Sequence, residues 1–538
     1  MKQQTILTAQ TMGYFRAKSE EKREVLLGEL LELQEFENAD KYTVLVILQA
    51  EVSRRHEVSQ NRIKKAFDKI ESDAAKPLSS GTDSASGHVQ EYPEGNYVLT
   101  VAQNNTDVDM VALSALETFA EHNNAIIMVA KMTYNKAGFM VAQDATDGIY
   151  YDPAIVKYIV EGQISLGGVI HFIGQANVNP TAKGPLSGFE SITPVGVSVC
   201  IPASKITLKA TAALKNGEGK LLFSTGSITR RNYILRKAGA VAASMHNISA
   251  LYVSVKNGVL TARHLEIMPG CDGFYDEGNY YSANEVITGQ RPIALQFGDI
   301  HAERLSSNNL DMLVEHLEKF NPYHTVLHDV MDFSSRNHHN VKDCTFMFGQ
   351  HTKGNTVEKD IIKVANVIYK LSAEYDRMTH IIESNHDLAI NTWLKSEDYK
   401  ADPTNAILYL QCMLELYKYI DAGYKEPFNM LEYVVGEFGG LIQDNIVFHS
   451  TDESLILAGI EMGCHGHTGA NGSRGSPQQL AGLGVKMNTG HTHSPSIIGG
   501  CYTAGCCELD MGYNIGPSSW RLASIVTWQN GQRQIIFL

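Results

Sequence analysis

Four short stretches decide the reading of this chain: Gly298-Asp299-Ile300-His301, His328-Asp329-Val330-Met331-Asp332, Ser384-Asn385-His386-Asp387 and Gly490-His491-Thr492-His493. Each carries carboxylate, amide or imidazole donors, and most follow a short apolar run. Residues 293–297, 325–327 and 379–382 read as strands that stop where the donors begin. The loops at the ends of such strands are where sites gather in α/β sheets. Oxygen and nitrogen donors repeated over several blocks are what a pair of divalent cations needs. A further stretch, Cys464-His465-Gly466-His467, follows a short strand expected at 455–460.

Working outward, residues 305–320, 357–375 and 404–419 carry helical patterns, and 446–448 and 485–487 are strand-like. The last forty residues read as strands, ending in Gln534-Ile535-Ile536-Phe537. Upstream, 97–102, 108–122 and 125–129 form a β-α-β pattern, followed by apolar runs at 169–173, 195–201, 221–224 and 251–255. These divide the chain into a central α/β domain at 96–290 and a second domain at 291–538. Within the first, Thr225-Gly226-Ser227-Ile228-Thr229-Arg230-Arg231 follows a strand, as a phosphate contact or as a plain solvated turn.

Residues 76–95 read as a flexible linker, because Ser79-Ser80-Gly81-Thr82-Asp83-Ser84-Ala85-Ser86-Gly87 has little apolar area to bury. Residues 1–75 read as a small helical domain. Its third helix, 59–70, has Ser59 as N-cap and places Arg62, Lys64 and Lys65 on its outer face. A short basic helix after two others suits a helix-turn-helix DNA-binding domain. An oligomerisation bundle has the same pattern.

The 538 residues exceed one ordinary core, and 43% hydrophobic with 19% charged residues is the composition of a globular protein. A formal charge of −14 confines any nucleic-acid contact to a local patch or to bound cations. No apolar run is long enough to span a membrane, and Met1 to Phe15 does not have a signal-peptide pattern. Eight scattered Cys read as reduced thiols of a cytoplasm. Cys464 is a buried small hydrophobe or a metal ligand.

Taken together, the blocks resemble the calcineurin-like metallophosphoesterase superfamily, whose pattern runs D-x-H, GD-x-x-D, GNH-D/E, a lone His and GH-x-H. The resemblance covers 290–538 and keeps the order of all five blocks. Two departures stand out: His328 takes the place of Gly before Asp329, and Ser384 that of Gly before Asn385. The resemblance implies an α/β protein whose C-terminal domain is a four-layer α/β/β/α sandwich. It implies that Asp299, His301 and His493 bind one metal, that Asn385, His491 and a fourth-block His bind a second, and that Asp329 bridges both. His465 is preferred for the fourth block, with His449 and His467 as alternatives. His386 is implied as a general acid oriented by Asp387, with Asp332 steadying the Asp329 loop.

Two cations roughly 3.5–4 Å apart bind phosphate oxygens and activate a hydroxide, and an acid at the leaving oxygen adds on the order of 10²–10⁴-fold. The donor set suits Mn²⁺ best, with Zn²⁺, Fe or Mg²⁺ as alternatives. His338, His339 and Arg474 are candidate substrate contacts. The layout of the whole chain resembles the early nucleases with which tailed phages degrade host DNA. The expected function is therefore a metal-dependent phosphodiesterase acting on DNA in the host cytoplasm, as a homo-oligomer with no membrane partner. The competing readings are a phosphatase or phosphodiesterase for a small molecule such as a nucleotide, and a DNA-binding regulator with a structural metal.

Overall fold

Alternation along one strand explains the architecture around the donor blocks. In Ala294–Asp299 (β1), Leu295 and Phe297 enter one core while Ala294 enters another, as the two-residue period of a strand requires. The computed structural model describes residues 89–134, 149–214, 219–337, 340–373, 376–396, 399–451 and 453–538. The helical domain expected at 1–75, with Arg62, Lys64 and Lys65, lies outside the described residues, as do His338 and His339.

β1 is central to a six-stranded sheet with His324–His328 (β2), Met378–Ile382 (β3), Ile446–His449 (β4), Ala523–Thr527 (β5) and Arg533–Phe537 (β6). The order is β4-β3-β2-β1-β5-β6. β1 to β4 run parallel, and β5 and β6 are antiparallel additions. Parallel neighbours bring the chain out at one sheet rim, so Asp299, His328-Asp329 and Ser384-Asn385 emerge side by side.

One face of this sheet is covered by helices. Ser307–Phe320 (α1) buries Leu313, His316, Leu317 and Phe320, the i, i+3, i+4, i+7 spacing of an amphipathic helix. The Ser306 hydroxyl caps its start by accepting from Asn309 N, and Asn321 ends it in the left-handed region at φ 41°. Val357–Ser372 (α2), capped by Thr356, adds Ile361, Val364, Ile368 and Leu371, and Met430–Glu437 (α3) adds Val434 and Val435. Each fully buried Leu, Ile or Val side chain contributes about 1.5–3 kcal/mol, so these stripes hold the helices to the sheet.

The other face meets a second, eleven-stranded sheet. Ala523 and Ile525 of β5 pack there with Ile497 and Tyr502, and Ala294 packs with Ile460 and Met462. This second sheet joins strands from both sides of the boundary expected at 290/291. Leu208–Ala210 pairs antiparallel with Ser496–Ile498 through Ser496↔Lys209 and Ile497↔Leu208. Residues 87–538 accordingly form one compact unit. The reason is edge pairing: an exposed strand edge is satisfied by a strand from elsewhere in the chain. A four-stranded sheet of Gly95–Gln103, Ala125–Met132, Ser249–Lys256 and Val259–Glu266 carries the expected β-α-β unit, with its first two strands parallel.

Two further expectations shift. The linker drawn at 76–95 runs too far, because Gln90–Tyr92 is a strand paired parallel with Gln163–Leu166. The strand expected at 455–460 is a tight hairpin of Ile456–Leu457 and Ile460–Glu461, turned by Gly459 at φ 74°. All eight Cys are free, as expected of reduced thiols.

Candidate metal centre

The site is built where two loops lock together. After β1, the backbone N–H groups of Ile300, His301 and Ala302 donate to the carbonyls of His328, Asp329 and Val330. This pins the first two donor blocks in register. His301, Asp329, His491 and His493 all adopt positive φ, between 46° and 71°. Left-handed backbone is uncommon for such residues, and clusters of it mark sites where the surroundings over-determine the chain.

Asp299, His301, Asp329 and His493 each offer a donor atom within 4.8 Å of the others, and all four are buried. Nε2 of His493 lies 3.0 Å from Asp299 Oδ2, Nε2 of His301 lies 3.4 Å from Asp329 Oδ2, and the two Nε2 atoms are 3.2 Å apart. Gly490 permits this closeness, because a Cβ there would collide with the Asp299 carboxylate. The His491 N–H instead donates to both Asp299 oxygens at 2.9 and 3.1 Å.

Next to this box lie the donors expected for a second ion. The His465 ring is fully buried, with Nε2 3.8 Å from Asp329 Oδ2 and Nδ1 4.0 Å from Asp299 Oδ1. Both its nitrogens and Asn385 Oδ1 are buried without a hydrogen-bond partner. The His491 ring packs 5.3 Å from that of His465. Buried orphan lone pairs are rare and call for an explanation, and cations supply it. The donors present therefore fit a metal centre. Burial holds His465 below the usual imidazole range and takes His491 down to about 4, which keeps both rings neutral and able to ligate.

Position separates the three fourth-block histidines. His465 meets Asp299 and Asp329, whereas His449 lies in a side-chain ladder away from them: His324 Nδ1 to His380 at 3.0 Å, His380 to His449 at 2.9 Å, His449 to Glu453 at 3.1 Å. His467 stands behind His465, ring to ring at 5.5 Å. His328 packs its ring 5.6 Å from His465, with both nitrogens buried and unpartnered. Cys464 packs beside Leu480, Met487 and Cys501, as a small hydrophobe would.

Two expected roles change. Asp387 does not orient His386. Its oxygens accept from Met331 N at 2.9 Å and Ser384 N at 3.1 Å and lie 2.8 Å from the Ser384 hydroxyl oxygen, so it ties the second block to the third. Burial, then the Asp329 charge, push its carboxyl up to about 8. The group facing His386 is Asp332, whose Oδ1 is 3.3 Å from His386 Nδ1 and 3.4 Å from His301 Nδ1. Its Oδ2 accepts from Arg304 Nε at 2.8 Å and the Ser334 hydroxyl at 2.6 Å. Burial alone would lower the His386 pKa, but the carboxylates of Asp329, Asp332 and Asp387 outweigh it and lift the imidazole to about 10.

The substitution Ser384 acquires a use. Its hydroxyl donates to the Asp329 carboxylate while contacting Asp387, so one side chain clamps the expected bridging ligand. Sequence reasoning missed Glu303, which accepts from the N–H groups of Asp332 and Phe333 at 2.7 Å each. It also missed Tyr513, which stacks on His386, and Trp520, which packs edge-on against His493 at 4.3 Å. No local motif marks those residues. Arg474 is exposed on its own loop and is not among the residues gathered at the centre.

No family model matches the chain, and no solved structure matches it. Among curated proteins it is 40% identical over 483 residues to "Protein A1" of Escherichia phage T5, an alignment spanning 86% of this chain and 85% of that protein. That identity over most of both chains points to a phage protein, and the chain belongs to the family of protein A1 of phage T5.

Proposed function

We propose that the chain is a metal-dependent phosphodiesterase of metallophosphoesterase type, a DNA nuclease of a phage acting in the host cytoplasm. The observation that carries this reading is the adjacency of two groups of side chains. The box of Asp299, His301, Asp329 and His493 stands beside the Asp332–His386 pair. Two sheets packed face to face, with helices outside the six-stranded one, support the four-layer sandwich.

Asp299, His301, Asp329 and His493 would hold one divalent ion, and Asp329, Asn385, His465 and His491 a second, with Mn²⁺ the expected metal. Cations bound there supply Lewis-acid stabilisation of phosphoryl charge and a nucleophile near neutral pH. The protein's own groups do the rest. Asp332 accepts from His386 Nδ1, which leaves Nε2 to hand a proton to the departing oxygen. His386 is about one-quarter exposed, so a substrate can reach it while the carboxylates behind it stay dry. Arg304, held by Asp332, adds positive charge at the rim. Tyr513 and Trp520 pack edge-on against each other beside the His386 and His493 rings.

The test is hydrolysis by the purified full chain with Mn²⁺, Mg²⁺ or Zn²⁺ against linear DNA, circular DNA and a small aryl phosphodiester. Cleavage of DNA in a metal-dependent manner is expected. Cleavage of the small ester alone would favour a small-molecule phosphodiesterase. No cleavage of any substrate with a full metal complement would favour a DNA-binding regulator.

A further inference from the structure

A cavity of about 1630 Å³ opens between the N-terminal part of the eleven-stranded sheet and the loop that carries His491 and His493. Eight Lys or Arg side chains line it against two acidic ones, Asp109 and Glu266. In a chain of formal charge −14 this is a local reversal of sign. Arg230 and Arg231, after the Gly-Ser turn, are among the eight, with Lys183, Lys205, Lys237 and Lys486.

Of the eight, Lys209 pairs with Glu190 and Arg533 donates to the Met487 and Gly500 carbonyls, while the rest have little acidic answer. Among the described residues no carboxylate stands within ion-pair distance of Lys183, Arg231, Lys237 or Lys486, and Arg230 reaches Asp109 only at 3.9 Å. Lys205 is buried at 5% exposure, yet its ammonium meets the Ala182 carbonyl and the Met245 sulfur rather than an acid. A buried ammonium without a counter-charge is costly, and an anionic ligand in the cavity would offset that cost. Glu266 is half-buried, accepts from Asn247 at 2.6 Å and faces Arg533 and Lys486, which leaves Lys183, Arg231 and Lys237 without it.

Shape narrows the ligand. Small-molecule pockets measure about 300–1,000 Å³, so this cavity is built for something longer. Its walls include the apolar side chains of Val111, Val241, Met245 and Ile267. Cations that track phosphates, set in a groove that also offers apolar surface, suit a strand whose bases are unpaired. Thr492 and Ser494, the residues on either side of His493, also line it.

We infer that this cavity binds a single-stranded nucleic-acid segment, with Lys183, Arg230, Arg231 and Lys237 on its phosphates and its bases on the apolar walls. That the strand is thereby led towards the metal centre rests on the phosphodiesterase reading; the binding itself does not.

The experiment uses the full chain in excess EDTA, so that binding is measured without metal or turnover. A short fluorescent single-stranded oligodeoxynucleotide, the matching duplex and a mononucleotide are titrated by anisotropy or competition over a range of salt. The paired variants Arg230→Glu with Arg231→Glu, and Lys183→Glu with Lys237→Glu, change exposed side chains. Each pair should weaken single-strand binding at least about tenfold and flatten its salt dependence, since fewer counterions are released. Thermal melting should stay as in the parent. Unchanged affinity and salt slope in both pairs overturn the proposal, as does a duplex or mononucleotide bound as tightly as the single strand. If the strand binds here while the metal-loaded parent hydrolyses no phosphodiester, the nuclease reading fails and the cavity assignment stands.

Discussion

Oδ1 of Asp332 lies 3.3 Å from Nδ1 of His386, although 54 positions separate the two in the chain. The neighbour in sequence, Asp387, turns instead to Met331 and Ser384. Asp332 is itself set by Arg304 and by its N–H to Glu303. The proton of His386 is therefore governed by the second donor block rather than by its own.

Asp332→Asn should lower kcat on DNA by about 10²-fold, the scale of a lost general acid. KM should change little, because Asp332 touches the imidazole and not the substrate. His386→Ala should cost a similar factor, and the double variant little more than either single one. A double-mutant cycle on kcat checks this. Fully additive losses would mean that the two residues act separately.

Asp329→Asn should reduce bound metal at both positions, since it withdraws charge from the ligand expected to be shared. Elemental analysis of a Mn²⁺-saturated sample should give about two ions per chain in the parent, the number a two-metal centre holds, and markedly fewer in the variant. A parent holding none or one contradicts the dinuclear assignment.

Ser384→Ala removes the hydroxyl that clamps Asp329 and Asp387. Loss of such a supporting hydrogen bond typically lowers metal affinity by about 10–100-fold. Calorimetric titration of Mn²⁺ into the metal-free variant measures it, and Ser384→Thr, which keeps the hydroxyl, should retain more affinity than Ala.

Gly490→Ala should abolish metal binding while leaving the chain folded. The new Cβ would strike the Asp299 carboxylate, a side chain locked by the His491 N–H. Circular dichroism like that of the parent, together with loss of bound metal, is the expected result.

Acid should destabilise the fold through histidines far from the metal centre. His264 is buried, with Nε2 2.7 Å from the Ser224 carbonyl, and burial takes its pKa down to about 4; His246 behaves likewise. Unfolding returns such a ring to about 6.5. The unfolded chain then binds more protons between these values, so the stabilisation is present above about 6.5 and lost as pH falls towards 4. Urea midpoints measured across this window should fall with pH, and less steeply for His264→Gln.

Much of the site was legible in the chain. Asp299, His301 and Asp329 announce themselves because parallel strands deliver their ends to one rim, and His493 because it follows the strand Met487–Thr489 of the other sheet. The helices expected at 305–320 and 357–375 from apolar spacing are present as Ser307–Phe320 and Val357–Ser372, with their starts set by the caps Ser306 and Thr356. The β-α-β unit near residue 100 was readable for the same reason. These are local signals, written within one or two turns of chain.

Other features needed the fold. Only tertiary structure set His465 rather than His449 beside Asp299 and Asp329, because His449 ends the outer strand β4 of the six-stranded sheet while His465 follows a strand of the other sheet. It turned Asp332 rather than Asp387 towards His386, since the left-handed backbone at Asp329 and Phe333 redirects the loop between them. It also merged the regions before and after residue 290, where Leu208–Ala210 completes the edge left open by Ser496–Ile498. Sequence alone determined which donors exist and which strands and helices carry them, because caps and periodicity act over a few residues. Which donors meet, and which strand covers which edge, was decided by packing between segments hundreds of residues apart, for which no local pattern exists.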